Sequence, residues 1–317
     1  METQQKPTKG SVIRDLRKAK NLTQAELAEG YGICSERYLR DIELGIKDPS
    51  EKVLNKILKA LDTPREVFDK LLYGNDMLRF KSDFDELWDM GYKKDFKTLA
   101  RKLDVLKAQP YCNMELPKIR QDILLLEALL QCGLNKEYRQ GMNKLLTALK
   151  ITVPQLVTKD GHIECDYLKE EALQMNEYRI VKIVAILEEN LGNMKEAIEL
   201  TLALVESLEG KDVYRDVQKK LLPSSYYNAI NALIESGRYT DALDMADDGI
   251  SFCQRFSEPK ELSKLVFTKG IAFYKCGDIE QATTLFKDAC SNARFCGDLE
   301  REEMFKAYAK NKCAILL

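Results

Sequence analysis

The sequence predicts an all-α protein in which five short helices precede a long series of helical hairpins. Three observations support this fold class. The 317 residues include only 16 Gly and 8 Pro, too few to punctuate an array of short strands. Apolar residues, 45% of the chain, recur at helical spacing through most of its length. A Gly-x-x-x-x-Ala element also occurs three times, which indicates internal repeats.

Helix boundaries are well marked at the start of the chain. Thr23 and Glu26, three residues apart, form the capping-box pattern that opens a helix. Pro64 is expected at the first position of a helix, where proline is tolerated. The predicted helices cover 11–20, a stretch from Thr23 to Gly30–Gly32, 35–43, and two that open at Pro49–Ser50 and Thr63–Pro64.

The predicted boundary between two domains lies at Gly74-Asn75-Asp76. The first domain then covers 10–73 and the second covers 77–317, which is helical almost everywhere. Within the second domain, 152–166 contains a proline and an Asp-Gly pair. This segment interrupts the helical rhythm and is predicted to be a longer connection.

The repeated element predicts helical hairpins. Its copies are Gly192–Ala197, Gly237–Ala242 and Gly277–Ala282. In each, glycine is expected to end one helix in a left-handed cap, and the small alanine lets two helices approach closely. Hairpins around Gly91 and Gly133 fit the same rhythm, although bulky Phe96 and Tyr138 stand at the alanine position.

The last copy resembles a tetratricopeptide repeat. The resemblance rests on the spacing of Gly270, Phe273, Gly277, Ala282, Phe286 and Ala289. It implies that the hairpins stack into a right-handed superhelix whose first helices line a concave groove. Helices after Gly297 are expected to cap the open end of the array.

Composition excludes several classes of function. The net charge of -2 rules out a polybasic nucleic-acid coat, so any DNA binding needs a local basic face. The nine cysteines include no Cys-x-x-Cys pair, and His162 is the only histidine. We therefore expect reduced thiols, no metal, no cofactor and no enzymatic activity. No apolar run reaches membrane-spanning length and no signal peptide is recognisable, so a cytoplasmic location without membrane contact is expected.

The N-terminal segment resembles the Xre/Cro-type helix-turn-helix family of DNA-binding proteins. The stretch from Leu22 to Glu43 is one residue longer than is common in that family, and the surplus lies around Gly30-Tyr31-Gly32. The resemblance implies that Arg14 and Glu43 form a salt bridge between helices one and three. It rests on Arg14, Leu22-Thr23-Gln24, Leu27-Ala28, Ile33, Leu39, Ile42-Glu43, Gly45, Pro49-Ser50 and Leu54.

In that family the third helix enters the major groove of double-stranded DNA, and the side chains of its N-terminal half reach the bases. Arginine can bridge two acceptors of guanine, and glutamate can accept from the cytosine amino group. The base-reading candidates are Ser35, Glu36, Arg37 and Arg40. Gln24 and Lys47 are the candidates for phosphate contacts.

One module of this size is too small to single out one site in a genome, so a homodimer on a two-fold operator is expected. The repeat region is the expected place for both the dimer contact and a ligand. Its asparagines can bond a peptide backbone, its aromatic side chains can form pockets, and a cation can hold a carboxylate. The predicted peptide-binding residues are Arg179, Lys182, Tyr227, Asn228, Asn231, Phe267, Tyr274 and Lys275.

A helix-turn-helix followed by about five helical hairpins resembles the peptide-responsive regulators of Gram-positive bacteria: PlcR, PrgX, Rgg and NprR, often grouped with the Rap proteins. The phrases Leu22–Gly30, Ile33-Cys34-Ser35 and Tyr38-Leu39 are similar to that group's version of the motif. The resemblance implies a homodimeric quorum-sensing regulator that binds a short signalling peptide. Two alternatives stay open: a repressor whose repeats bind a protein partner, and a Rap-like signalling scaffold.

Overall fold

The computed structural model describes residues 7–317, with side chains at all of them except 259 and 260. Within the described residues the structure is helical, and the only extended pairing is a single antiparallel bridge between Val157 and Ile163. This confirms the all-α prediction. The chain divides into two compact units, Met1–Ile180 and Val181–Leu317.

The five predicted N-terminal helices are present, all within the first compact unit. Thr23 and Glu26 form the predicted capping box, in which the Thr23 backbone N–H donates to Glu26 Oε2 (2.7 Å) and the Glu26 N–H donates to Thr23 Oγ1 (3.1 Å). Pro64 lies one residue before the first turn of its helix rather than in it. The helices are α1 (Lys9–Ala19), α2 (Glu26–Gly30), α3 (Glu36–Glu43), α4 (Glu51–Ala60) and α5 (Arg65–Tyr73).

Helix α2 is wound as a π-helix. Its hydrogen bonds each span one residue more than those of an α-helix, so a π-helical turn accommodates one additional residue. The sequence predicts a surplus residue in this part of the chain and places it around Gly30-Tyr31-Gly32. The π-helix α2 ends at Gly30, the first residue of that stretch, and α3 then begins at Glu36.

The remaining helices form successive hairpins. The first unit continues with α6 (Asn75–Tyr92), α7 (Phe96–Lys107), α8 (Pro117–Leu134), α9 (Tyr138–Thr152) and α10 (Cys165–Glu170). Helix α11 (Met175–Asn190) contains the division between the units. The second unit continues with α12 (Met194–Glu209), α13 (Arg215–Glu235), α14 (Tyr239–Phe256), α15 (Pro259–Cys276), α16 (Ile279–Phe295) and α17 (Leu299–Cys313).

One turn geometry joins the two helices of six hairpins. A residue with positive φ ends the first helix, the next residue has φ between -82° and -93° and ψ between 60° and 82°, and the second helix follows at once. Glycine has no Cβ and so adopts positive φ without strain. The positive-φ residues are Lys94, Lys136, Gly192, Gly237, Gly277 and Gly297.

The structure confirms the predicted roles of glycine and alanine in the three hairpins whose turns contain Gly192, Gly237 and Gly277. Ala197, Ala242 and Ala282 are buried where their helices pack. In the two earlier hairpins the turn residues are Lys94 and Lys136 rather than the glycines that mark those hairpins in the sequence. Gly133 instead lies in α8 against Phe96, whose ring would come within 2.3 Å of a Cβ at that position.

The segment between α9 and α10 is the longer connection that the sequence predicts. It consists of a short 3₁₀ turn, Pro154–Leu156, and the bridge between Val157 and Ile163. His162 is exposed here. No helix within residues 7–317 has the length and apolar character that crossing a lipid bilayer requires.

Candidate DNA interface and candidate ligand groove

A buried ion pair holds α3 in place. Arg17 Nε donates to Glu43 Oε1 at 2.6 Å and Arg17 Nη2 donates to Glu43 Oε2 at 2.8 Å. The hydrogen bond that Arg17 donates to Glu43 raises the pKa of Arg17 above its usual value. Arg17 Nη1 donates to the Leu22 carbonyl at 2.6 Å, and Gln24 Nε2 donates to Glu43 Oε2 at 2.8 Å. The network therefore ties α1 and the segment before α2 to the last residue of α3.

The predicted pairing of Glu43 with Arg14 is wrong. The Arg14 side chain is 42% exposed and lies 3.8 Å from Asp15 Oδ1. The buried face of α1 contains Val12, Ile13 and Arg17. Residues four apart share one face of an α-helix, so Arg17 lies on the same buried face as Ile13, whereas Arg14 is only half-buried.

Helix α3 buries one face and exposes the other. Leu39, Ile42 and Glu43 are buried, whereas Arg37 and Arg40 are exposed. Ser35 caps the helix by accepting from the Tyr38 N–H at 3.3 Å, and the exposed Glu36 donates its backbone N–H to Glu29 Oε1 at 3.2 Å. The exposed face thus presents one acidic and two guanidinium side chains over slightly more than one turn.

The two predicted phosphate contacts already have partners within the protein. The Gln24 amide donates to Glu43, as described above. Lys47 Nζ lies 3.3 Å from Asp41 Oδ2 and 5.3 Å from the centroid of the Tyr38 ring. Sequence reasoning missed two apolar side chains between α3 and Lys47, namely Leu44 (62% exposed) and Ile46 (67% exposed).

The second unit contains a cavity of about 450 Å³ lined by α13, α15 and α17. Helices α13 and α15 are the first helices of their hairpins, and α17 follows the turn at Gly297. Phe267 lies at the base of the cavity. The Phe267 ring stacks on Phe305 with centroids 4.1 Å apart and meets the edge of Tyr308 at 5.6 Å. The lining is Tyr227, Asn231, Ile234, Glu235, Lys264, Phe267, Thr268, Ile271, Lys275, Arg301, Met304, Phe305 and Tyr308.

Four of the eight predicted peptide-binding residues line this cavity: Tyr227, Asn231, Phe267 and Lys275. Asn228 is half-buried on α13 outside the lining. Tyr274 packs against the hydrophobic cluster around Phe286 instead of facing the cavity.

The other two predicted residues have local partners. Lys182 Nζ donates to Ser224 Oγ at 2.5 Å. Arg179 belongs to the first unit, where its guanidinium lies 4.3 Å from the centroid of the Trp88 ring. Arg179 Nη1 donates to Asn176 Oδ1 at 2.8 Å and lies 3.7 Å from Asp85 Oδ1. Burial lowers the pKa of Arg179, whose side chain is 10% exposed.

The contribution of α17 to the cavity is absent from the sequence prediction, which treats this helix as a cap. A signal was nevertheless present. Lining positions on α15 follow the spacing 264, 267, 268 and 271, and those on α17 follow 301, 304, 305 and 308. The same spacing of three, four and seven residues marks one helix face.

Residues 13–68 match the profile of the helix-turn-helix family. This segment is a helix-turn-helix domain. The match spans α1 to α5, including the exposed face of α3 and the Arg17–Glu43 pair that holds it. A search of curated protein sequences finds no significant match.

Solved structures share the fold over nearly the whole chain. Bacillus thuringiensis PlcR, solved in complex with the peptide PapR7 and DNA, has 22% identity and a TM-score of 0.58, covering 94% of this chain and 98% of PlcR. A variant of the SHP pheromone receptor Rgg2 of Streptococcus dysgalactiae has 14% identity and a TM-score of 0.50, covering 96% and 100%. Bacillus subtilis aspartyl phosphate phosphatase F has 13% identity and a TM-score of 0.52, covering 95% and 80%. The chain therefore has the fold of these proteins.

Proposed function

We propose that this protein is a sequence-specific DNA-binding transcription regulator controlled by a short signalling peptide. The observation that carries the proposal is the asymmetry of α3, whose inner face is fixed by the Arg17–Glu43 pair while Arg37 and Arg40 face solvent. A helix so held enters the major groove without first ordering itself, and arginine is well suited to bridging two acceptors of guanine. Each such contact discriminates against a wrong base by about 1–3 kcal/mol.

The peptide part of the proposal rests on the cavity of the second unit. Asn231 offers an amide to a peptide backbone, Phe267 and Phe305 form an apolar base, and Lys275 offers a cation. A cavity of about 450 Å³ accommodates part of a short peptide. The likeness to PlcR, which was solved with both a peptide and DNA, supports the proposal that one chain binds both kinds of ligand.

A dimer accompanies this function. One helix-turn-helix module contacts too few base pairs to single out one genomic site, and two copies on a two-fold operator supply the missing selectivity. Peptide binding then alters the spacing or order of the two DNA-binding domains. A coupling of about 1.4 kcal/mol changes the affinity for DNA tenfold.

The test is selection of binding sites from a random duplex pool by the wild-type protein, Arg37→Ala and Arg40→Ala, followed by mobility shift with candidate peptides. We expect each variant to lose preference at one or two base positions while retaining affinity for unselected DNA. Arg101→Ala, an exposed arginine on α7, is the matched control and should select the wild-type motif. Identical motifs from all four proteins would contradict the assignment of base readout to α3.

The peptide arm of the test uses synthetic peptides from the C-terminus of any short reading frame beside the gene. We expect at least one of them to change the amount of selected duplex that is shifted. If none of them binds the protein or changes the shift, the control by peptide is wrong, whereas the DNA-binding part is judged separately by the selected motifs.

A further inference from the structure

The groove residues of α13, α15 and α17 fall into rows that cross the three helices. Each helix is followed within two residues by a residue with positive φ, namely Gly237, Gly277 and Ala314. Counting back from that residue aligns the helices. The residues ten positions before it, here called the central row, are Tyr227, Phe267 and Met304. The residues thirteen positions before it, here called the basic row, are Ser224, Lys264 and Arg301.

The basic row brings positive charge to one side of the groove. Lys264 and Arg301 both line the cavity. At the α13 position, where the row has Ser224, Lys182 from α11 supplies the ammonium group by donating to the Ser224 hydroxyl at 2.5 Å. Three cations from three different helices therefore lie along this row.

Two of these cations have carboxylate partners on their own helices. Lys264 pairs with Glu261 at 2.9 Å and Arg301 pairs with Asp298 at 3.2 Å, each three residues earlier on the same helix and outside the cavity lining. The lining itself carries three cationic side chains, Lys264, Lys275 and Arg301, against one acidic side chain, Glu235. The side chains that line the groove thus include more cations than anions, which favours an anionic ligand.

The central row presents apolar surface to a ligand. Phe267 is 5% exposed and packs against Phe305, so it closes the base of the groove. Met304 and Tyr227 on either side are 64% and 38% exposed. Methionine and tyrosine are adaptable apolar contacts, and a ligand that covers them removes apolar surface from water.

We propose that the groove selects an extended peptide in which acidic and apolar side chains alternate, with the acidic side chains toward the basic row and the apolar ones over the central row. The two rows are three residues, or about 4.5 Å, apart along each helix. In an extended peptide, successive side chains point to opposite sides at about 3.3 Å per residue. The proposal rests on the proposed function, because it names the class of peptide that the groove takes.

The test measures binding of three pools of fluorescent hexapeptides to the full-length protein by anisotropy. In the first pool Asp or Glu alternates with Leu, Phe or Met; in the second, Asn or Gln replaces the acidic residues; in the third, Lys or Arg replaces them. We expect the first pool to bind at least tenfold more tightly than the second, and the third to bind most weakly. Raised salt should narrow these differences.

Charge reversal on the protein provides the decisive arm. Lys264→Glu or Arg301→Glu should weaken binding of the first pool about tenfold, and the double variant should prefer the third pool. Lys287→Glu, the same change at an exposed site on α16, is the matched control and should bind as the wild type does. Because the preference must switch rather than vanish, a loss caused by misfolding is distinguished from the proposed effect.

Equal binding of the first two pools would overturn the charge selection while leaving peptide control intact. The charge selection would also be overturned if Lys287→Glu weakened binding of the first pool as much as Lys264→Glu does. If no pool binds the wild-type protein, both this inference and the peptide part of the proposed function are wrong, whereas DNA binding is unaffected.

Discussion

Arg17 and Glu43 form a two-point ion pair at 2.6 and 2.8 Å, in which the arginine side chain is 9% exposed and the glutamate side chain 2%. The pair joins α1 to the last residue of α3. Because the two parallel hydrogen bonds fix both the distance and the orientation of the helices, they determine which side chains of α3 face solvent.

Removing one partner of this pair should destabilise the helix-turn-helix domain strongly. Arg17→Met leaves the Glu43 carboxylate buried with only Gln24 to bond it, and such changes cost about 3–5 kcal/mol. Urea denaturation followed by circular dichroism should show the transition of the variant at lower urea. Arg14→Met, the residue three positions earlier, should change stability by about 0.5 kcal/mol or less. Equal effects of the two variants would contradict the buried role of Arg17.

Gly10 allows α1 to touch the end of α3. A Cβ at this position would lie 1.9 Å from the carbonyl oxygen of Ile42, which no real contact allows. Gly10→Ala should therefore destabilise the protein by about 1–3 kcal/mol, because the helices must separate. The control is Gly30→Ala, where nothing lies within 4 Å of the added carbon. It should leave the urea midpoint unchanged or raise it, since alanine stabilises a helix by up to about 1 kcal/mol.

Lys94 occupies the hairpin-turn position that glycine occupies in four other hairpins, with φ of 61°. A residue with a Cβ loses about 1–2 kcal/mol there, and glycine's larger entropy in the unfolded chain offsets part of that. Lys94→Gly should thus raise the thermal midpoint, with a net gain of up to about 1 kcal/mol. The control is Lys93→Gly, which changes another exposed lysine, one with φ of -77°, and should lower the thermal midpoint. A lower midpoint for Lys94→Gly would show that its conformation is not strained.

Glu302 should make stability depend on acid pH. Hydrogen bonds from Arg294 and Lys306 lower the pKa of this carboxyl from 4.5 to about 2. The contribution of these bonds is complete above pH 4.5 and is lost as pH falls toward 2, because the unfolded chain takes up the proton first. The thermal midpoints of the wild type and Glu302→Gln should differ most at neutral pH and should converge as the pH falls from 4.5 toward 2. The control is Glu303→Gln at the exposed neighbouring position, whose thermal midpoint should differ far less from that of the wild type. A difference in midpoint between the wild type and Glu302→Gln that stays constant with pH would contradict the account.

Local signals made most helices predictable from the sequence. The capping box of Thr23 and Glu26 was found because its two residues bond each other across one turn. Gly192, Gly237 and Gly277 were found because glycine alone takes positive φ without strain. The turn residues Lys94 and Lys136 were missed because lysine has no preference for positive φ that the sequence could reveal.

The sites depended on contacts that the sequence does not record. Choosing Arg17 over Arg14 needed the orientation of α1 about its axis, which is set by its packing against α3. The groove was half predicted: Tyr227, Asn231, Phe267 and Lys275 line it, but the residues of α17 were assigned to a cap. Knowing that α17 turns one face toward α15 required the structure, in which Phe305 stacks on Phe267.

The most direct test of DNA binding through α3 is the salt dependence of affinity for a selected duplex, measured by anisotropy for wild type and for the Arg37→Ala, Arg40→Ala double variant. We expect the wild-type affinity to fall steeply between about 50 and 200 mM salt, since each phosphate contact releases counterions. The double variant should bind selected and random duplexes alike. Absence of salt-sensitive binding to any duplex by the wild-type protein, with or without peptide, would contradict the account.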